Sequence, residues 1–201
     1  GKNMRNFLIK MVFFLIFFIL FTSFSSFAKN SKKILMIIAH QNFRDEELLI
    51  PKKLFENEGY EVIIASTSLE PAKGMLGAVV TPKILINQVK VENYDAIVFV
   101  GGVGAQEYFD HLVAHRIAKE AVSKDKILAA ICLAPRILAE AGVLKGKKAT
   151  VWVSESKVLE EKGAHYTGKL VEVDGKIITG SGPQAAEEFA KNILKLLRSQ
   201  K

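Results

Sequence analysis

One cysteine in 201 residues excludes an internal disulfide, so the fold must rest on a buried apolar core. Histidine is nearly as scarce, with four in the chain. His111 and His115 stand four apart on a helical pattern, but no third ligand accompanies them, and the pair reads as a solvated helix face. No glycine-rich loop leads into a Lys-Ser or Lys-Thr pair, which excludes a phosphate-binding loop. The glycines of Gly101-Gly102-Val103-Gly104 fall short of a dinucleotide fingerprint. Long runs of one charge are absent. Lys and Arg number 28 against 21 Asp and Glu, a net of +7, but the lysines are spread and not interleaved with aromatics. Such a surface calls for no nucleic-acid partner. Neither a metal nor an organic cofactor is expected.

What the chain has in excess is apolar residues near its start. Residues 11–21 are uninterruptedly apolar, preceded by Arg5 and Lys10 and followed by Ser and Ala up to Ala28. A basic start, a short apolar centre and small residues form a secretory signal, which places cleavage after Ala28 and the folded domain at 29–201. The run is shorter than the ~20 residues of a spanning helix. Counted through Phe27 it lengthens, so an uncleaved membrane anchor stays open. Either way the protein is expected to be exported, periplasmic or extracellular, touching the membrane only through the leader. Residues 1–28 carry three cations and no acid, so subtracting them from +7 leaves +4.

Segments 33–39, 61–66, 96–100 and 127–131 are short Ile, Val, Leu and Ala runs without alternation, as parallel strands buried on both faces require. Helical patterns fill 45–57, 111–124 and 184–197, the last with a stripe of Ala186, Phe189, Ala190, Ile193, Leu196 and Leu197. Pro51 lacks an amide and is expected to kink the first turn of its helix. Strand and helix alternate, which means an α/β fold with helices on both faces of a parallel sheet. Two stretches add antiparallel pieces: 73–89, and 171–179 with Asp174-Gly175 as a tight-turn signal.

Cys132 directly follows the strand pattern 127–131 and precedes a helix start at 133–138. A thiol at such a turn faces unpaired amides and a helix dipole, which favour thiolate. The Leu133 amide is available to an oxyanion, and the glycines of Gly101-Gly102 allow close backbone approach and a second amide. From spacing alone, a small buried hydrophobe at position 132 is an equally good reading. Glu47 lies just beyond the first strand, at the end of the sheet where open α/β folds bind ligands. His40 and His165 are candidate general bases.

Taken in order, 33–39, Asp45-Glu46-Glu47-Leu48-Leu49-Ile50-Pro51, Gly101-Gly102, Ala129-Ala130-Ile131-Cys132-Leu133-Ala134-Pro135 and 173–183 resemble the ThiJ/PfpI (DJ-one) superfamily. The resemblance implies a flavodoxin-like three-layer sandwich, a homodimer, and a strained cysteine at an elbow. It makes Cys132 that cysteine, Glu47 the acid that bonds its sulfur, Gly102 and Leu133 the oxyanion amides, and His165 a nearby histidine. Two departures stand out. Leu133 occupies the place of the histidine in protease-like members, which argues against a cysteine peptidase. Ser181 stands where the DJ-one branch has an arginine, which argues against an anion pocket there. The resemblance implies a cofactor-free lyase or hydrolase of glyoxalase or deglycase type, with a small aldehyde or glycated substrate. The alternative is a non-catalytic redox sensor or protective chaperone working through oxidation of Cys132.

Overall fold

The computed structural model describes residues 32–200, and the leader expected at 1–28 lies outside them. Five parallel strands make the frame: β1 (Lys33–Ile37), β3 (Glu61–Ser66), β7 (Ala96–Phe99), β8 (Ile127–Ile131) and β12 (Ile177–Gly180). They lie in the order β3-β1-β7-β8-β12, with β6 (Ile84–Leu85) added beyond β3 and β11 (Val171–Asp174) antiparallel beyond β12. In chain order the five run second, first, third, fourth, fifth, the flavodoxin-like arrangement. Every residue of β7 and β8 is buried, and so is β1 after Lys33. That explains why these strands lack alternation.

Helix α1 (Asp45–Asn57) connects β1 to β3, and α2 (Leu112–Ser123) connects β7 to β8. The two crossovers step in opposite directions along the sheet, so right-handed connections put them on opposite faces. The closing helix α5 (Ala186–Ser199) packs against α1. On the other face α2 packs against the short α3 (Pro135–Glu140), and α3 against α4 (Ser156–Glu161). The buried stripe of α5 uses Leu194 where the periodicity points to Leu196, which is only half-buried.

Pro51 does not interrupt α1. It sits at the seventh residue, buried, and the helix runs through it, so the missing amide leaves only the Glu47 carbonyl without its donor. The 73–89 stretch forms β4 (Ala72–Gly74) and β5 (Val79–Val80), antiparallel to each other, before β6. Between Asp174 and Ile177 the turn is Gly175-Lys176, one residue later than the sequence signal, with Gly175 at φ +62°. Three strands have no clear sequence signal: β2 (Gln41–Phe43), which pairs with β4, and the parallel pair β9 (Lys148–Ala149) and β10 (His165–Tyr166).

Candidate active site

At the carboxyl end of the sheet, α1, β7 and β8 each deliver one part of a cleft. Where β8 ends, Cys132 takes φ +63°, a left-handed conformation that L-residues adopt only under constraint. Two backbone bonds hold it there. Its amide donates to the Gly180 carbonyl (2.9 Å), and its carbonyl accepts from the Trp152 amide (2.8 Å). The side chain therefore points out of the strand end into the cleft while the residue stays 8% exposed.

From the first turn of α1, Glu47 enters the same space and is fully buried. Its Oε2 accepts from the Gly101 amide at 3.0 Å, whereas Oε1 has no hydrogen-bond partner among the described residues. Gly101 has to be glycine. A Cβ there would stand 2.5 Å from Glu47 Oε2 and 2.6 Å from the Cys132 Cβ. Gly102, at φ +94°, is wedged against the Arg44 amide and the Asn42 carbonyl. The amides of Gly102 and Leu133 border the Cys132 sulfur and favour its charged form.

The electrostatics run against a simple thiolate. Burial pushes the Glu47 carboxyl up to about 8, opposed by bonds from Cys132 and the Gly101 amide. Burial also pushes the Cys132 thiol up, to about 12, with the Glu47 charge adding to the effect and the two amides acting against it. The helix-start argument, which favours thiolate, is overruled here by burial and by a neighbouring carboxylate. Helix α3 is only six residues long. Cys132 and Glu47 thus form a coupled thiol–carboxyl pair, in which a protonated Glu47 favours charge on the sulfur and an ionised one opposes it.

His165 is not part of this cleft. It lies exposed on β10, where it pairs with Lys148, whose amide donates to Asp174 at the β11–β12 turn. That turn leads into Ile177, beside Leu128 near the start of β8, so His165 belongs to the opposite end of the sheet from Cys132. Sequence spacing cannot reveal this, because the short parallel pair that carries the histidine has no pattern of its own. The other histidines have local duties. His111 caps α2 through Nδ1, and His115 Nε2 meets the Phe109 carbonyl at 2.7 Å. The His40 carbonyl accepts from the Lys73 amide, and its buried Nδ1 has no partner among the described residues. Among the described residues no three ligating side chains gather as a metal site.

Several cleft residues were not singled out by sequence. Arg44, Met75, Val103, Trp152 and Pro183, together with Gly102, Cys132 and Leu133, line a cavity of ≈ 170 Å³. Trp152 comes from the loop after β9, fixed by its bond to the Cys132 carbonyl. Met75 comes from the β4–β5 loop, which Asp45 ties to α1 through the amides of Leu76 (2.8 Å) and Ala78 (2.7 Å). A half-exposed tryptophan, the only one in the chain, is the one signal that could have found this wall. Ser181 makes local bonds, its amide to the Leu170 carbonyl and its hydroxyl to Gln184.

Comparison with known proteins adds three findings. The DJ-1/PfpI family model matches residues 32–196. An uncharacterized protein of Methanocaldococcus jannaschii is 42% identical over 172 residues, covering 84% of this chain and 83% of that protein. Among solved structures, a ThiJ/PfpI domain protein from Brachyspira murdochii superposes with a TM-score of 0.82 at 32% identity, covering 84% of this chain and 98% of that one. Drosophila melanogaster DJ-1beta gives 0.75 at 29% identity, covering 83% and 90%.

Proposed function

The chain belongs to the DJ-1/PfpI family, and on that premise we propose that it is a cofactor-free cysteine enzyme acting on small reactive carbonyls. One observation carries the reading: a cysteine held at φ +63° beside a fully buried carboxyl that takes the Gly101 amide, with the Gly102 and Leu133 amides favouring charge on the sulfur. In the proposed chemistry Cys132 Sγ adds to the aldehyde carbon of a 2-oxoaldehyde as its proton passes to Glu47. The carbonyl π pair becomes an oxyanion held by the Gly102 and Leu133 amides, and Glu47 returns the proton to give a hemithioacetal. Glu47 then takes the proton from the same carbon to give an enediolate, whose hydroxyl proton passes to the neighbouring oxygen as Glu47 protonates the neighbouring carbon, leaving a 2-hydroxy thioester. Water cleaves it to a 2-hydroxy acid and the free thiol. The sum is 2-oxoaldehyde plus water, with no oxidant required.

A cysteine peptidase fits poorly, since no histidine among the described residues lines the cleft and Leu133 follows the cysteine. Export and a homodimeric state extend the proposal from the leader and from the family. Turnover of methylglyoxal by the mature domain tests the core of it. Wild type should convert it, and Cys132→Ala should lose at least about a hundredfold, as removal of a covalent nucleophile does. Equal rates in the two proteins would refute the reading.

A second reading, a redox sensor, is favoured by the unpartnered Glu47 Oε1, which as a carboxylic acid could donate to a sulfinate oxygen. Intact mass after mild peroxide distinguishes it. Two added oxygens on Cys132, with the fold intact and no aldehyde turnover, would select the sensor.

A further inference from the structure

The wall of the Cys132 cleft says what kind of substituent can sit there. Met75, Val103, Leu133, Trp152 and Pro183 make it apolar. Met75, Val103 and Trp152 are 38, 48 and 41% exposed, so three large apolar surfaces stand uncovered around one thiol. Burying them against a ligand removes apolar area from water on both sides.

Among the described residues the only cation on this wall is Arg44, and its charge is already used. Its Nε and Nη2 meet the two carboxylate oxygens of Glu46 at 2.8 and 3.1 Å, a two-point fork. The same bond holds the Glu46 carboxyl below its ordinary range, so Glu46 is ionised at neutral pH and compensates the guanidinium. A substrate carboxylate or phosphate would have to displace Glu46. It would also approach the thiol–carboxyl pair, which becomes negative as it reacts. Nothing else that lines the cavity offers a positive charge.

We propose that this cleft accepts neutral electrophiles with an apolar substituent, namely aldehydes bearing a branched alkyl or aromatic group, and that the Arg44–Glu46 fork excludes anionic ones. The substrate class rests on the carbonyl-enzyme reading, while the selectivity of the cleft does not. Glu46 acts through Arg44 and is a specificity-determining residue that never touches the reacting atoms.

Because Cys132 is the sole cysteine, thiol alkylation of the whole protein reports on this site alone. The probes are N-phenylmaleimide and N-(4-carboxyphenyl)maleimide, matched in shape and different by one charge, with each rate divided by that of free N-acetylcysteine. The normalised neutral-to-anionic ratio should be about ten or more, the discrimination expected of an unpaired charge in a partly dry site. Glu46→Gln, and separately Glu46→Ala, should free Arg44 and cut that ratio at least about fivefold. Thermal melts should show both variants folded, since Glu46 is a half-exposed residue of the first helical turn. Trp152→Ala should slow N-phenylmaleimide more than it slows iodoacetamide. A wild-type ratio near one, or a ratio that both Glu46 variants leave unmoved, overturns the proposal.

A turnover arm separates it from the enzyme reading. Isobutylglyoxal should exceed methylglyoxal in kcat/KM by about tenfold, roughly two- to threefold per added carbon in an open cleft. Selective alkylation with no turnover of either glyoxal would keep the cleft's selectivity and remove the enzyme. Equal turnover of both glyoxals with unselective alkylation would keep the enzyme and remove the selectivity.

Discussion

Glu47 changes its proton affinity on folding, and two measurable consequences follow at that one residue. Its carboxyl rises from 4.5 to about 8 because the folded protein buries it. Between those values the folded state holds a proton that the unfolded chain has lost, so stability falls as pH rises. The contribution is fully present below 4.5 and gone above about 8. Urea unfolding at about pH 5.5 and about pH 8.5 should give a lower midpoint at the higher pH, and Glu47→Gln should shrink the difference. The second consequence concerns reactivity. The first proton to leave the Cys132–Glu47 pair should leave near 8, and iodoacetamide alkylation should rise through that value. Glu47→Gln keeps a donor for the thiolate and should shift the rise up by about one pH unit, and Glu47→Leu should shift it further. Identical profiles in all three proteins would separate Glu47 from the sulfur.

At the level of elements, the cleft depends on a clamp that is not itself chemical. The buried carboxylate of Asp45, at the first residue of α1, takes the amides of Leu76 and Ala78 from the β4–β5 loop. Gly74 passes so close that a Cβ would stand 2.5 Å from an Asp45 oxygen. Asp45→Ala should cost about 1–3 kcal/mol by leaving those amides unpaired, read by urea unfolding. It should also raise cleavage by trypsin after Lys73, since the loop carrying Met75 loses its tie. Unchanged proteolysis would mean that the loop is held otherwise. The same elements show what sequence could reveal. The frame strands are legible because they are buried on both faces and read as continuous apolar runs. Cys132, Gly101 and Gly102 are legible because they closely follow such strands, and Glu47 because it sits in the first turn of the helix after the first one. Met75 and Trp152 reach the cleft through hydrogen bonds between segments distant in sequence, which leave no periodic trace. His165 misleads for the converse reason: its short strand pairs at the other end of the sheet.

For the molecule as a whole, the strand carboxyl ends carry the cleft, and Lys32, where the described chain begins, bonds the Leu197 carbonyl near the end of α5. Expressed with its own start in a bacterial host, the protein is expected outside the cytoplasm with Lys29 as its first residue, checked by intact mass of the exported fraction. Full-length soluble protein in the cytoplasm would refute export, and a full-length membrane-bound form would favour the anchor. One further property belongs to the molecule and not to any reaction. Its single indole stands half-exposed on the wall of the cleft that Cys132 also lines, with no second tryptophan to dilute its emission. Excited selectively, the entire chain therefore shines from one place. A ligand entering the cleft should shift that emission to the blue as water leaves the ring, and Trp152→Phe should abolish the signal. The protein carries its own optical probe of occupancy, and binding can be followed without label, turnover or knowledge of the product.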